Sequence, residues 1–445
     1  MFGALGIAVG VAVVLFCVLH LFVATSEGAY ENARSAVALT GIAGAAVLAA
    51  VALLRLHATD REHQLARDRH DLERDKHDHA IAEAAQARSD RDEDMARVEV
   101  SALRARYTTA AEQLGHSSPA IRLAGVYAMA ALADDWVARG NDSEVQTCID
   151  VLCSIIRTPP PADLEEHEQR ADLEVRQTIT RTISAHLQPG NSPSWHGRDF
   201  DFTGATFIGQ HSFAGAQLAC RMTFDSATFA DGTVSFDGST FAEGRVTFDR
   251  AHFAGGRVIF DGSEFGGGAV SFDGAKFAGC HVTFDRARFT GGTVTFLAAE
   301  FADGFVSFAA HFNGATVTFK HGQFTGGTVM FEKSKFEDGN VHFDFARVTG
   351  GRVLLGNSWF IGANVTFDYA LVDGGRMTWV GAAFAGGRVS LHHCHFASGI
   401  VRFRAHHNGM RWNVEGCWQH PGVVVGDWSP NPPTWWPLPT RLKPA

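Results

Sequence analysis

The densest group of metal-ligating side chains in the chain is His392-His393-Cys394-His395, followed shortly by His406-His407. Imidazole and thiolate at this density could serve a structural zinc ion. The spacing argues against it, because neighbouring residues on an extended strand point to opposite faces and cannot converge on one ion. His392, His393, Cys394 and His395 are weak candidates only, and no metal is expected. A second constellation is an Asp that recurs in register at Asp225, Asp237, Asp249, Asp261, Asp273 and Asp285, and later at Asp344 and Asp368. Such a column could hold cations or exchange protons. It is better read as corner residues whose carboxylates accept backbone N–H bonds, with Arg250 and Arg286 as adjacent partners. The Gly-Gly-x-Gly-x-Asp calcium phrase is absent. So are the nucleophile-elbow, zinc-protease, phosphate-loop and paired-carboxylate motifs, and neither an enzyme nor a cofactor is expected. The column Ser235, Thr247, Ser271, Thr283, Thr295, Ser307 and Thr318 is expected to face outward. Five His between His57 and His79 have mixed spacings and read as a solvated face.

A twelve-residue phrase positions these residues, from about Val234 to Phe403. It runs Val246-Thr-Phe248-Asp-Arg-Ala-His-Phe253-Ala-Gly-Gly-Arg and then begins again at Val258, Val270, Val282 and Val294. A fixed period of this kind marks a solenoid, in which each repeat buries its apolar face by stacking on the next. The expected core ladder is Phe236, Phe241, Phe248, Phe253, Phe260, Phe265, Phe272, Phe277, Phe284, Phe289, Phe296 and Phe301. The Phe spacing alternates five and seven, and the two extra residues fall in Gly-Gly pairs such as Gly255-Gly256 and Gly326-Gly327, which reads as corners at positive φ. One repeat per coil would make a flattened two-strand tube. Two repeats, 24 residues, would make a four-sided coil, and packing favours it, since Val and two Phe overfill the narrower tube. One residue is missing from the phrase between Phe308 and Phe312, so one coil should be distorted. Toward the end Val348, Leu355, Val372, Trp379 and Leu391 replace Phe inside.

Before the strict period, Phe202-Thr-Gly-Ala205-Thr-Phe207 and Phe213-Ala-Gly-Ala216-Gln-Leu218 place a small residue two before each large one. This resembles the pentapeptide-repeat family over roughly residues 200 to 418. The resemblance implies a right-handed four-sided β-helix. The whole plan also looks like bacterial membrane proteins of that family: two spans, a stalk, a helical segment containing Arg122-Leu-Ala-Gly-Val-Tyr127-Ala-Met-Ala, then pentapeptides. Some soluble members resemble duplex DNA and bind topoisomerase. That alternative needs a strongly acidic surface, whereas residues 199–418 carry 20 acids against 17 bases.

The remaining chain sets the context. No charged side chain occurs from Met1 to Ser26, nor from Ser35 to Leu54. Each run is long enough to cross a hydrocarbon core of about 30 Å as a helix, so residues 1–55 are expected to form two membrane helices. Arg55, Arg61, Arg67, Arg69 and Arg74 follow and would mark the cytoplasmic side. His20, with no acidic partner, reads as a helix contact. Residues 56–106 lack Gly and Pro, alternate in charge and read as a stalk helix. Leu65 and Leu72 hint at a seam for homo-oligomers, not sustained to Ile81, Met95 and Val98. Residues 107–190 read as a small helical domain, 195–418 as the β-helix and 419–445, rich in Trp and Pro, as a C-terminal cap. Seven scattered Cys fit a reducing compartment, and a net charge of −10 argues against nucleic acid as a partner. The chain therefore reads as a membrane-anchored α plus all-β solenoid protein. Residues 1–55 would sit in the bilayer of the inner membrane. The rest would be a non-enzymatic cytosolic scaffold for an unidentified protein partner.

Overall fold

A computed structural model describes residues 10–11, 13–14, 16–18, 21, 29–160, 164–402, 406–407, 411–419 and 424–425, with few side chains in 29–43 and beyond 402. The chain divides into two compact units, 1–100 and 101–445.

The first unit is dominated by α1, Ala29–Leu114, one helix of 86 residues. With no Gly or Pro from 56 to 106, nothing interrupts its ladder. The second apolar run and the stalk, expected as separate segments, are thus parts of one helix. Leu65, Leu72, Ile81, Met95 and Val98 are all more than half exposed along it. The run Met1–Ser26 lies for the most part outside the described residues. Among the described residues no helix is long and apolar enough to cross a membrane.

In the second unit Leu103, Ala110 and Leu114 bury the end of α1. Three helices follow: α2, Pro119–Ala138, α3, Asp142–Arg157, and α4, Glu166–His186. Pro119 occupies the first turn of α2, where its missing donor costs nothing. The Asn141 side chain caps α3 by accepting the Glu144 N–H at 3.4 Å. Val126, Met129, Trp136, Ile149, Leu152, Ile179 and Ile183 make a shared core at 2% exposure or less.

This helical domain is the lid of the solenoid. Strand Phe200–Asp201 begins the ten-stranded sheet and has a strand neighbour on one side only. Such an edge offers unpaired backbone groups, and α3 takes them. The Gln146 amide donates to Asp199 O at 2.8 Å and accepts the Asp199 N–H at 3.0 Å. Arg157 donates to Asp201 O and to the Asp201 carboxylate, both at 2.8 Å. Gln188, just beyond α4, donates to Ala214 O at 3.0 Å. The only cap expected was the Trp/Pro-rich tail, most of which lies outside the described residues.

The solenoid is all parallel, and its register is 24 residues: Val246 pairs with Val270 and Val270 with Val294. Each coil has four faces, illustrated by Arg245–Thr247, His252–Phe253, Arg257–Ile259 and Glu264–Phe265. The first faces form the ten-stranded sheet, the second and third a continuous 16-stranded sheet, the fourth an eight-stranded sheet. One face per pentapeptide follows from the period: a large residue and a small one two positions away both point inward, and the residues between turn the corner.

The twelve Phe from Phe236 to Phe301 are all at 3% exposure or less. Their rings stack along the axis at the strand spacing: Phe224–Phe248 at 4.8 Å, Phe248–Phe272 at 4.7 Å and Phe272–Phe296 at 4.7 Å. Across the tube they meet edge to face, Phe248–Phe260 at 5.9 Å and Phe260–Phe272 at 6.0 Å, the arrangement that the ring quadrupole favours. At the inward small position Ser239 and Ser263 each donate to a Phe carbonyl one coil back, at 2.7 Å.

The corners follow the expectation in part. In the Gly-Gly pairs the first Gly is required by close approach: a Cβ on Gly326 would lie 2.1 Å from Ala302 O, and one on Gly255 2.2 Å from Ala230 O. Positive φ falls in some of these pairs, at Gly256 (66°), Gly292 (67°) and Gly387 (81°), and also recurs two residues after the first Phe of each phrase, at Gly262 (64°) and Gly274 (66°) but equally at Arg250 (58°), Arg286 (60°), Phe345 (59°) and Tyr369 (59°). The missing residue near Phe308 is absorbed at one corner. There Ala310 N–H donates to Phe308 O at 2.7 Å, where other corners close one residue wider, as Ala251 N–H to Phe248 O. The γ-like turn leaves Phe308 and Phe312 inside, and the stack Phe284–Phe308–Phe331 continues at 4.7 and 4.8 Å.

Candidate interaction surface

Because the tube is filled with side chains, the outside and the ends are where this chain can meet another molecule. The Asp column is built into the corners. The Asp249 carboxylate accepts the Asp273 N–H one coil on, at 3.1 Å, the Asp273 carboxylate the Leu297 N–H at 2.9 Å, and the Asp368 carboxylate the His392 N–H at 3.0 Å. Arg250 and Arg286 do not act as their partners: both lie at the left-handed corner position, and no ion pair among the described residues joins them to these Asp. The Ser/Thr column is not an open outer surface. Ser307 is 1% exposed and donates to Asp285 at 2.6 Å, Ser271 donates to Asp249, and Thr295 donates to Ser271 at 3.1 Å. Carboxylates, hydroxyls and backbone amides thus form a zip up the corner.

The His/Cys cluster is splayed. Cys394 is buried, and its Sγ donates to Phe367 O at 2.7 Å, in the place Ser takes in other coils. His393 turns the corner at φ 53° and stacks on Tyr369 at 5.1 Å. His392 packs edge-on to Tyr369, and His395 lies against Trp418 on the second face. Among the described residues no group of three or more His, Cys, Asp or Glu is placed to hold a metal ion. The side chains of His406 and His407 are outside the described residues. Burial pushes the Cys148, Cys153, Cys220, Cys280 and Cys417 thiols up to about 12, which leaves them protonated and unreactive.

Two clefts open where the helical domain meets the first coils. One, of about 400 Å³, is lined by Glu166, Arg170, Arg176, Thr206 and His211 among others. Behind it Asp172 accepts from Arg122 at 2.7 Å and from Arg176 at 2.5 Å. Burial raises the Asp172 carboxyl pKa, but the two guanidiniums outweigh it and hold it below the usual carboxylate range. Arg176 also donates to Ile155 O at 2.9 Å, so the triad staples α2, α3 and α4. His211 lies beside it, 3% exposed. Burial lowers its pKa to about 4, and the Arg176 charge adds to the effect. The neutral ring donates from Nε2 to Ile208 O at 3.0 Å and accepts at Nδ1 from the Thr180 hydroxyl at 3.1 Å. Nδ1 thus ties the first coil to α4, while Nε2 closes a contact within the strand Thr206–Ser212.

The other cleft, about 460 Å³, gathers Asp150, Asp199, Asp201 and Asp225 around Arg221. Burial raises the Asp201 pKa, and Thr203 and Arg157 bring it below the ordinary value. Its oxygens accept from Thr203 Oγ1 at 2.6 Å, from Thr203 N–H at 2.9 Å and from Arg157. The arrangement fixes a turn and an interdomain contact and sets no acid beside a base for proton transfer.

Two surface features escaped the sequence reading. A column of rings, His321–Phe345–Tyr369–His393, runs up one corner at 5.0 to 5.1 Å per step. Its signal was present: at this corner, in every second phrase, the position two after the first Phe holds Ser226, Arg250, Gly274 and Ala298 in earlier coils and is aromatic from His321 on. Arg347, Arg352, Arg376 and Arg402 cluster on the neighbouring faces.

No family model, curated protein or solved structure matches this chain.

Proposed function

We propose that the protein is a non-enzymatic, membrane-tethered scaffold whose pentapeptide-repeat-like β-solenoid offers long outer faces to a protein partner on the cytoplasmic side. The observation that carries this reading is how the polar chemistry of the solenoid is used. Corner carboxylates, several corner hydroxyls and the Cys394 thiol go into hydrogen bonds between coils, which leaves shape and surface charge as what the domain presents. The tether is supported by the two uncharged runs Met1–Ser26 and Ser35–Leu54, by Arg55 to Arg74 beyond them, and by the exposure of Val14, Phe16, Leu48 and Leu53 at 56 to 71%, which suits lipid better than water. The near balance of acids and bases disfavours imitation of a polyphosphate.

Affinity capture of the full chain from detergent-solubilised membranes tests the reading. Recovery of a stoichiometric protein partner is expected, retained by fragment 101–445. A chain that fractionates as soluble, or that turns over a substrate and recovers no partner, would sink it. A Cys placed at Ala29 should label from outside and one at Ala85 should not; the reverse would refute the cytoplasmic assignment.

A further inference from the structure

Three successive rungs, 347–354, 371–378 and 395–402, carry Arg347, Arg352, Arg376 and Arg402 on the second and third faces, all exposed. No ion pair among the described residues joins any of the four. Asp373 is the one acid in these rungs, and it accepts the Ser398 hydroxyl at 2.6 Å. Arg352 and Arg376 sit directly opposite each other in the parallel ladder, where like charges are unfavourable. Some other rungs neutralise neighbours, as in Lys276–Glu300 at 3.4 Å and Arg288–Glu264 at 3.2 Å, and elsewhere, as at Arg221 opposite Arg245, like charges also face each other; here four such Arg gather beside exposed rings. The corner leading into this basic face carries Phe345 and Tyr369, 46% and 49% exposed, stacked at 5.1 Å and both at φ 59°. Bulky residues are disfavoured at that φ, and half-exposed rings forgo burial.

Two unfavourable features side by side are resolved by one kind of partner. Guanidiniums pair bidentately with phosphate, and amphipathic rings settle at the headgroup level of a bilayer. Arg347 on the second face and Arg352 and Arg376, the first residues of the third-face strands, flank one corner of the tube, so several rungs can meet one surface along it. We propose that this side of the tube, Arg347, Arg352, Arg376 and Arg402 on two adjoining faces with Phe345 and Tyr369 at its margin, docks on an anionic lipid surface. The proposal is independent of the tether, and its test uses a chain without it. Fragment 101–445 suffices, because every buried apolar side chain among the described residues lies at Leu103 or later, so the fragment keeps the whole described core.

The fragment is co-sedimented with vesicles of phosphatidylcholine alone or with about 30 mol % phosphatidylserine, enough for a strongly negative surface potential. Binding is expected to the anionic vesicles only, fading as salt shortens the screening length. Each Arg→Gln change should cost about fivefold in partitioning and the quadruple variant several hundredfold, the effect of losing one basic contact each time. Phe345→Gly with Tyr369→Gly should weaken binding and leave its salt dependence unchanged. The double variant Arg250→Gln/Arg286→Gln, in coils nearer the helical domain, should bind as the parent does. Absence of binding to anionic vesicles by a fragment with an intact circular dichroism spectrum overturns the proposal. So does equal loss of binding in the Arg250/Arg286 control, or a preference for duplex DNA over vesicles at the same salt.

Discussion

Replacing Phe272 by Ala is the most direct test of the solenoid's register. The ring is fully buried, stacked at 4.7 Å on both Phe248 and Phe296, edge-on to Phe260 and Phe284 at 6.0 and 6.1 Å, and tilted against Phe253 and Phe277 at 6.1 and 6.3 Å. Six rings therefore lose a partner. A buried Phe→Ala change costs about 3–5 kcal/mol, and the lost stacking places this one toward the upper end. The neighbours are fixed in ladders and cannot collapse into the gap. Asp273, one residue on, is half-buried at the corner, and its Ala variant loses the bond accepted from Leu297 N–H at 2.9 Å. That amide can still reach water, so the cost should be about 1 kcal/mol. Urea unfolding of fragment 101–445 with each substitution gives both values; the slope must be checked, because long repeat arrays depart from two-state behaviour. Equal losses for the two variants, or a larger one for Asp273→Ala, would refute the inward–outward assignment, since a slip of one residue exchanges the two positions.

Three further predictions bear on the junction and the corners. Asp172→Ala should cost about 3–5 kcal/mol, because it strands two guanidiniums that shared one carboxylate; thermal melts at neutral pH would show it, and Arg122→Ala/Asp172→Ala should be milder than the sum of its parts. His211 is held neutral in the folded chain, with its pKa lowered from 6.5 to about 4. Its contribution is complete above pH 6.5 and is lost as pH falls toward 4, about 3 kcal/mol over that window by linkage, and His211→Phe should flatten the acid limb of a stability–pH curve. Gly326→Ala should unfold or badly destabilise the fragment, because its Cβ would meet Ala302 O at 2.1 Å, whereas Gly262→Ala, at φ 64° with open space around it, should cost about 1–2 kcal/mol; equal melting temperatures would contradict the close-approach argument.

The interior was legible because it is a volume problem with a period. Once Val246, Phe248, Ala251 and Phe253 must share a side, a tube wide enough for two such sets follows, and the 24-residue register is that tube. The exterior was less legible. The Gly pairs announce themselves in the sequence, but the reason for their first member is a carbonyl in the coil beneath, 24 or 25 residues away, and no local rule finds it. The same distance hid the role of the helical domain. Gln146 looks like an ordinary helix surface residue until Asp199, 53 positions later, brings an unpaired strand edge beside it. The corner Asp were correctly placed as backbone acceptors, but the donor is the next coil's N–H and Arg250 and Arg286 are not involved.

This division between inside and outside also locates where function can be encoded. Inward positions are tied to their neighbours above and below, so a change in one coil strains the next, and the stack stays apolar even where Val348, Leu355 and Trp379 replace Phe, each fully buried. Outward positions carry no such constraint and drift from the phrase. Their drift is uneven. From His321 to His393 one corner carries a column of rings, beside Arg347, Arg352, Arg376 and Arg402, where the same corner nearer the helical lid holds Ser226, Arg250, Gly274 and Ala298. A solenoid closed at one end by helices, with its ring-bearing corner toward the other, is polarised along its axis. The departures cost something in strain and repulsion, and the repeat itself does not require them, so they mark the coils where a partner surface is best sought.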